Sequence, residues 1–337
     1  MLLTRLVCSA ALLCAPTLWA QQMISIRSGL IHYTEGSVTV DGKQVENKNS
    51  EFSSLLTNQE LRTGEGRAEL LLTPGAFLRV GENSAVRMIS TGLDNTRVEL
   101  LAGSALVEVT ELGRDNAVAL LAHDATLQVE KAGIYRADSD PARFRVYEGQ
   151  AAVSQNGTQA VLTRGKEVSL DGGTVASAKH FDSKDTDELF RWSARRSSYI
   201  AMANVSLAKL AGSNGFLSAG SCYSGCWGYS SAFGMYSFLP FGYMAYSPFG
   251  YAFWSPYNVW NAPYYYYPSG GYPVIAGSGK PVAPVRGLPV VGGSGGRTGG
   301  FSQSAMSASS GGGRGSSGGF SSGGGMSHAS GRGGGHR

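Results

Sequence analysis

The sequence has few of the residues on which catalysis and metal binding depend. Only four cysteines and five histidines occur in 337 residues, and no histidine shares a motif with another ligand. His123 and Asp124 are adjacent, but no nucleophile motif accompanies them. The run Asp138-Ser139-Asp140-Pro141 offers too few oxygen ligands for a calcium loop and is typical of a turn. The sequence therefore predicts no catalytic residue, no metal site and no cofactor. Three carboxylates near strand ends are expected to be solvated: Glu35, Glu108 and Glu148.

Acidic residues are absent from the second part of the chain. All 24 aspartates and glutamates lie at or before Glu188, together with 18 of the 28 lysines and arginines, which gives this part a net charge of −6. The remaining residues carry ten basic side chains and a net charge of +10. Such a partition indicates two regions with different partners.

The sequence also lacks an apolar run of the ~20 residues that a transmembrane helix needs. A shorter apolar run, residues 6–18, follows the single charge of Arg5 and leads to Ala20. This order predicts a signal peptide over residues 1–20, with cleavage after Ala20. A lipoprotein signal at Cys14 is the alternative, but the two leucines ahead of it are larger than such a signal requires. The mature chain is therefore expected to be exported and to contain no transmembrane span.

Residues 21–181 are predicted to form an all-β domain. Runs rich in Val, Leu, Ile and Tyr recur every eight to twelve residues between Gly, Asp and Asn, which is the spacing of a sandwich or roll. The dipeptides Asp41-Gly42 and Asn156-Gly157 tolerate positive φ and predict tight hairpins. The expected facing pairs are Val38 with Val45 and Val153 with Ala160. The predicted fold class is all-β, with stacked hairpins in a sandwich or roll, followed by one amphipathic helix and a long low-complexity disordered tail. The β-domain is expected to fold independently of everything after Lys209.

An internal repeat places a glycine at the start of a strand and, in two copies, a Leu-x-x-Gly turn after the hairpin. Repetition of one supersecondary unit indicates stacked hairpins that share a core. The predicted structural turns are Gly36, Asp41, Gly42, Gly64, Gly103, Gly149, Asn156, Gly157 and Gly165. Because positive φ is expected at Gly64, Gly64→Val is predicted to destabilise the domain.

One stretch resembles a known family. Residues 61–72, 74–80 and 83–88 read LRTGEGRAELLL, PGAFLRV and NSAVRM, a succession of strand, glycine turn, strand, turn and strand. Together with the repeated glycine openings, this pattern resembles the β-domain of FecR-family bacterial envelope proteins, and the resemblance covers residues 28–170. It implies an exported β-domain in the periplasm or at the cell surface of a bacterium.

The same resemblance suggests two functions. FecR-type transducers are described as having a cytoplasmic segment that contacts a sigma factor, one transmembrane helix and a periplasmic β-domain that meets an outer-membrane receptor. Here the predicted signal peptide leads almost directly into the β-domain, so transduction by this chain alone is not expected. The resemblance instead implies a binding or structural module, because its motifs specify turns and core more than function. A sensor or partner-binding subunit of a FecR-type signalling system is the alternative.

Residues 182–211 are predicted to form an amphipathic helix. Asp182 or Ser183 is expected to cap it, and further acidic residues lie at its positive end. Two interpretations of its basic residues stay open. The arginines bind an anionic partner such as a lipid head group, or the helix packs on the open end of the β-domain with its arginines solvated. The predicted surface contacts are Arg191, Trp192, Arg195 and Arg196.

The composition changes again after residue 211. Residues 212–272 form an aromatic, Gly/Pro/Tyr-rich low-complexity segment with no charged residue between Lys209 and Lys280. Its evenly spaced prolines argue against a membrane span, because a bilayer requires every backbone polar group to be bonded internally. We expect this segment to be adhesive. Residues 273–337 form a basic, Gly/Ser-rich tail that cannot bury a core and is expected to be disordered.

Two cysteines, Cys222 and Cys226, remain in the mature chain and predict a local disulfide in an exported protein. Free thiols or intermolecular pairing are the alternatives. The basic tail is not expected to meet nucleic acid outside the cytoplasm, so the expected partner is an envelope component: a protein, a wall polymer or an anionic polysaccharide. The predicted function is a non-enzymatic exported envelope protein whose β-domain is a binding or structural module and whose aromatic and basic tail is adhesive.

Overall fold

The computed structural model describes residues 23–24, 28–46, 52–175, 177–213, 225–240, 242–262, 265–266 and 274–275. The chain divides into two compact units, Met1–Pro281 and Val282–Arg337, and every described residue belongs to the first. The predicted signal peptide, Cys222 and nearly all of the predicted tail lie outside the described residues.

The described residues contain twenty-two strands and one long α-helix, α1 (Glu188–Ser213), with a short 3-10 turn at Val259–Asn261. The strands are β1 (Met23–Ile24), β2 (Leu30–Val40), β3 (Lys43–Gln44), β4 (Glu60–Leu71), β5 (Ala76–Val80), β6 (Ala85–Gly92), β7 (Asn95–Ala102), β8 (Ser104–Val109), β9 (Val118–Ala122), β10 (Ala125–Val129), β11 (Gly133–Ser139), β12 (Ala142–Glu148), β13 (Gln150–Gln155), β14 (Thr158–Thr163), β15 (Lys166–Ser169), β16 (Lys179–His180), β17 (Cys226–Ser230), β18 (Met235–Leu239), β19 (Ala245–Tyr246), β20 (Ala252–Phe253), β21 (Tyr265–Tyr266) and β22 (Val274–Ile275).

Strands β2 to β16 form one sheet of 15 strands. Its order is β14-β13-β10-β9-β7-β6-β4-β5-β8-β11-β12-β15-β16, with β2 beside β4 and β3 beside β2. The pairing of β7 with β9 is parallel, whereas the other pairs of this sheet are antiparallel. Gln155, near one end of the order, donates from Nε2 to the backbone oxygen of Leu170, which follows β15 near the other end, at 3.1 Å. The two ends of the sheet therefore meet, and the sheet curls into a roll.

The core of the roll follows from the alternation of its strands. In β13 every second residue points inward, so Ala151 and Val153 are fully buried while their neighbours are only half-buried. Leu162 of β14 and Val168 of β15 reach the same core from opposite ends of the strand order. The prediction of an all-β fold built from hairpins is confirmed.

The two tight hairpins pair as the sequence indicates. The amide of Val45 donates to the oxygen of Val38 at 2.9 Å, and Val153 lies opposite Ala160. All but one of the predicted turn positions have positive φ: Gly36, Asp41, Gly42, Gly103, Gly149, Asn156, Gly157 and Gly165. Gly64 is the exception, because it lies inside the continuous strand β4 and has no positive φ. The predicted turn and the predicted strain at Gly64 are therefore wrong.

The tight position lies two residues further on, where a bulge of β2 pairs with β4. Gly36 and Gly66 face each other in register, and Gly36 has a φ of +67° at a bulge of β2. A Cβ on Gly66 would stand 2.6 Å from the amide nitrogen of Ser37, a separation that requires backbone movement. A Cβ on Gly64 would meet only the Ser37 side chain, at 3.6 Å. The close approach of β2 to β4 thus depends on Gly66 and not on Gly64.

Gly66→Val is therefore expected to lower the free energy of unfolding by about 1–3 kcal/mol, because the added side chain overlaps the backbone of β2. Gly64→Val is the matched control, and its effect is expected to stay within about 0.5 kcal/mol. Urea unfolding of the two variants measures the difference. Equal loss of stability in both would contradict this account of the close approach.

The helix begins later than predicted. Asp187 caps it, because its Oδ1 accepts a hydrogen bond from the amide of Phe190 at 3.0 Å. Asp182, a predicted cap, instead accepts from the amide of Lys184 in a local turn. The first half of α1 packs Leu189 and Trp192 against the roll. Its second half is buried on further faces because the aromatic segment covers it.

Residues 225–262 have a defined fold, which differs from the expectation of an adhesive low-complexity segment. Strands β17 and β18 form a hairpin, and β1 pairs with β17 to complete a three-stranded sheet. Strands β19 and β20 form a second short hairpin. Trp227, Phe238 and Phe253 are buried against Phe77 of the roll, whose ring lies 5.1 Å from that of Trp227. Several aromatic residues of this segment are thus part of the intramolecular core.

Candidate functional site

The most distinctive chemistry of the described residues lies where the roll, α1 and the aromatic segment meet. Charged side chains are buried there with their hydrogen-bond partners. We call this group the buried ionic cluster; its members are His32, Glu69, Arg79, Glu108, Arg196, Ser197 and Ser247.

Glu69 connects the roll to the helix. Its Oε2 accepts from Nε of Arg79 on the neighbouring strand β5 at 2.9 Å, and its Oε1 accepts from Nη2 of Arg196 on α1 at 2.8 Å. Burial by itself raises the pKa of Glu69, but Arg196 and Arg79 outweigh it, so the pKa lies well below its usual range. Glu69 is therefore a fixed negative charge between two arginines.

Glu108 on β8 connects the roll to both outer layers. Its Oε2 accepts from Nη1 of Arg79 at 2.6 Å, and its Oε1 accepts from the Ser197 hydroxyl at 2.8 Å and from the Ser247 hydroxyl. Its side chain is wholly buried, so the expectation that Glu108 is a solvated rim residue is wrong.

His32 on β2 holds one proton, and its two nitrogens have different partners. Nδ1 lies 2.9 Å from Oε1 of Glu69, and Nε2 accepts the backbone N–H of Tyr236 at 3.0 Å. The Tyr236 amide can only donate, so Nε2 carries no proton and Nδ1 donates to Glu69. Burial lowers the pKa of His32, and Arg196 and Arg79 act in the same direction, whereas Glu69 opposes them. The neutral imidazole therefore links β18 to the roll.

The charges of the cluster cancel: two carboxylates face two guanidinium groups beside a neutral imidazole. Buried charges of this kind are tolerated when they are paired and hydrogen-bonded. The buried ionic cluster therefore connects three layers: the roll, α1 and the aromatic segment. A cleft of about 230 Å³ lies elsewhere, at the first hairpin, and its lining groups Asp41 and Gln59 already bond each other.

Stability is expected to fall as the pH drops below about 6.5, the usual pKa of histidine. The folded state holds His32 at a lower pKa, so between the two values the unfolded chain binds more protons and acid favours unfolding. This contribution is fully present above pH 6.5 and is lost as the pH falls toward the folded pKa. Glu69 adds a further loss only below its usual 4.5.

The test is the slope of the unfolding free energy between pH 7 and pH 5. His32→Gln is expected to flatten this slope, which for one proton is at most about 1.4 kcal/mol per pH unit. His180→Gln is the matched control because His180 is exposed. An unchanged slope in His32→Gln would contradict the assignment of a buried neutral imidazole.

The backbone of the aromatic segment also forms hydrogen bonds with a side chain of α1. Asn204 is fully buried; its Nδ2 donates to the oxygens of Phe238 and Trp254 at 2.8 and 3.0 Å, and its Oδ1 accepts from the amide of Trp254 at 2.6 Å. One asparagine thus ties β18 and the chain after β20 to the helix.

A second feature of this segment points outward. The exposed aromatic cluster comprises four side chains that are more than half exposed: Tyr243 at 84%, Tyr246 at 59%, Tyr257 at 56% and Trp260 at 62%. The backbone next to Tyr243 lies close to the residue after Tyr257, because Nδ2 of Asn258 donates to the oxygen of Gly242 at 3.1 Å. The segment therefore buries some aromatic rings on the roll and presents others to solvent.

The four predicted surface contacts on α1 differ in their exposure to solvent. Trp192 is buried and donates from Nε1 to Oε2 of Glu35 at 2.9 Å, and Arg196 is buried against Glu69, so neither is a surface contact. Arg191 and Arg195 are more accessible, and both bond Glu188. The helix packs on the roll as the second interpretation expects, but Arg196 is not solvated.

Cys226 is fully buried and disulfide-bonded. Its predicted partner, Cys222, lies outside the described residues. Within the described ranges, no group of three or more His, Cys, Asp or Glu side chains is arranged to hold a metal ion. The helix in the described part of the chain is not apolar enough over its length to cross a membrane.

Comparison with known families bears on the strands that hold the cluster. Residues 59–152 match the family model described as FecR protein. The chain is similar to FecR proteins over these residues. The resemblance seen in the sequence is thus confirmed over this range. It runs from the start of β4 into β13 and includes Glu69, Arg79 and Glu108, whereas His32, Arg196 and Ser247 lie outside it. The buried ionic cluster therefore joins the residues that match the family model to the segments on either side of them.

Two crystal structures from Parabacteroides distasonis ATCC 8503, each described as a "putative anti-sigma factor", are similar to part of the chain. The one at 2.50 Å resolution has 16% sequence identity and a TM-score of 0.32, and the one at 1.65 Å has 15% and 0.34. The similarity covers 37% and 40% of this chain and 61% and 64% of the solved chains, so this chain spans less than two thirds of their length. No curated protein matches the sequence.

Proposed function

We propose that the chain is a non-enzymatic, exported envelope protein in which the FecR-family roll is a rigid scaffold and the aromatic segment presents the binding surface. The observation that carries the proposal is that the aromatic side chains of that segment include both a buried set and an exposed set. Trp227, Phe238 and Phe253 are buried on the scaffold, whereas the exposed aromatic cluster is more than half accessible. Tyr and Trp at a rigid surface supply contact area at a low entropic cost.

Two observations support export. The first twenty residues have the order of a secretory signal peptide, and Cys226 is disulfide-bonded, which is typical of an oxidising compartment. The expected partner is an envelope component, whether a protein, a wall polymer or an anionic polysaccharide. The basic residues after Lys209 supply a second, electrostatic contribution to binding that salt screens.

The test is binding of the full chain to isolated cell envelopes at low and high salt. Tyr243→Ser with Trp260→Ser is expected to remove most of the salt-resistant fraction, and a chain that ends at residue 281 is expected to lose the salt-sensitive fraction. Leu56→Ser with Val161→Ser is the matched control, because these residues are exposed to a similar degree, at 52% and 57%, outside the cluster. If all variants bind envelopes equally, the proposal is wrong.

The FecR-family match favours a second candidate, a periplasmic sensor or partner-binding subunit of a FecR-type signalling system. In that case the partner contacts the roll and not the exposed aromatic cluster. Co-purification of a membrane receptor or regulator that survives the Tyr243→Ser/Trp260→Ser change would favour this candidate.

A further inference from the structure

We propose that the exposed aromatic cluster binds an uncharged polysaccharide, with sugar rings stacked on its tyrosine and tryptophan faces. The inference rests on the proposed function and narrows its partner from an envelope component to a neutral glycan.

The cluster is held in place by its own anchors. Ser255 and Val259, which alternate with its members along the sequence, are fully buried, and Nδ2 of Asn258 donates to the oxygen of Gly242. The amide of Val259 also donates to the Ser255 oxygen at 3.0 Å. A ligand therefore meets rings on an ordered backbone, which reduces the entropy lost on binding.

The aromatic segment itself supplies no charged side chain for ionic recognition. No acidic or basic residue occurs between Lys209 and Lys280, so all four aromatic residues lie in an uncharged stretch. Electrostatic complementarity, which selects anionic polymers and acidic lipids, is absent from the sequence around the cluster. The groups of the segment that can contact a ligand are aromatic faces, tyrosine hydroxyls and neutral amides, such as that of the exposed Asn261. These groups suit a ligand with apolar C–H faces and many hydroxyl groups.

The area argues for a glycan over a folded protein. Tyr and Trp side chains bury ~150–250 Å² each, so at the observed exposures the four present roughly 400–650 Å². A stable protein interface needs about 800 Å² on each partner. A sugar polymer needs no such area, because repeated weak contacts along one strand add through multivalency.

The experiment is affinity electrophoresis of the full chain in gels that contain a neutral polysaccharide: hydroxyethyl cellulose, dextran, soluble starch or galactomannan. We expect retardation by at least one of them that is unchanged between low and high salt. Tyr243→Ser with Trp260→Ser is expected to weaken binding about tenfold, as the loss of two stacking contacts implies. Tyr243→Phe is expected to retain binding because the ring remains, and Leu56→Ser with Val161→Ser is the control for altered surface hydrophobicity.

Several results would overturn the inference: no retardation in any of the four gels, retardation that the double variant leaves unchanged, or equal binding to vesicles of phosphatidylcholine, which would identify a membrane surface instead. Binding to envelopes without binding to any neutral polysaccharide would leave the proposed function intact and refute only this inference. Failure of both assays would refute both.

Discussion

Arg79→Met is expected to destabilise the protein by about 3–5 kcal/mol, because it leaves two buried carboxylates without the cation between them. Arg79 is fully buried and bonds Glu69 at 2.9 Å and Glu108 at 2.6 Å. Methionine fills much of the same volume, so the loss of stability measures the removal of the charge and not the creation of a cavity. An effect of this size is a large fraction of the ~5–15 kcal/mol that holds a typical domain together.

The control is Arg62→Met. Arg62 pairs with Glu60 at the surface, where its side chain is 63% exposed, and such pairs contribute at most about 1 kcal/mol. Urea unfolding followed by tryptophan fluorescence measures both variants, since Trp192 and Trp227 are buried. Similar unfolding midpoints for the two variants would show that the buried ionic cluster does not hold the layers together.

A chain that ends at Ser213, after α1, is expected to lose roughly 5 kcal/mol or more of stability and to bind the dye ANS. Truncation uncovers Leu71, Phe77 and Ile200, each worth about 1.5–3 kcal/mol when buried. It also removes the Tyr236 amide from His32 and the Ser247 hydroxyl from Glu108. This expectation reverses the prediction that the β-domain folds independently of everything after Lys209.

A chain that ends at residue 281, the boundary between the two compact units, is the matched control, because it keeps every described residue. Its unfolding midpoint should equal that of the full chain. If the chain that ends at Ser213 unfolds at the same urea concentration as this control, the aromatic segment contributes nothing to the fold of the roll.

Local patterns in the sequence were sufficient to predict the hairpins. The dipeptides Asp41-Gly42 and Asn156-Gly157 fix two-residue turns whose geometry sets the register of the flanking strands, so Val153 opposite Ala160 follows from spacing alone. The prediction of a turn at Gly64 was wrong for a physical reason. A glycine in a strand also serves where another backbone passes closely, and the approach of β2 at Gly66 is a tertiary contact that local spacing does not reveal.

The buried ionic cluster was missed, although its sequence carried a signal. Glu69, Arg79 and Glu108 each interrupt an apolar strand-length run: AELLL, AFLRV and ALVEV. A charged side chain within such a run either is solvated on the outer face of the sheet or is paired with an opposite charge in the interior. Only the position of an oppositely charged partner in the fold distinguishes the two cases. Arg196 lies 127 residues from Glu69 along the chain, so composition offered no means of pairing them.

The fold of residues 225–262 was missed for a related reason. Glycine, proline and tyrosine are typical of low-complexity segments, but burial on a preformed apolar surface orders such a segment when each polar backbone group finds a partner. Here Asn204 supplies three of those bonds from the helix. The sequence alone did not show that the roll and α1 leave this surface open.

The most direct test of the account is hydrogen–deuterium exchange of the full chain at pH 7, read on peptides that cover β17 and β18. Amides in these strands are bonded across the hairpin and buried on the roll, so they are expected to exchange slowly, with protection comparable to that of β13 in the same molecule. Complete exchange of β17 and β18 within seconds, while β13 stays protected, would show that the aromatic segment does not fold on the roll and would contradict the account.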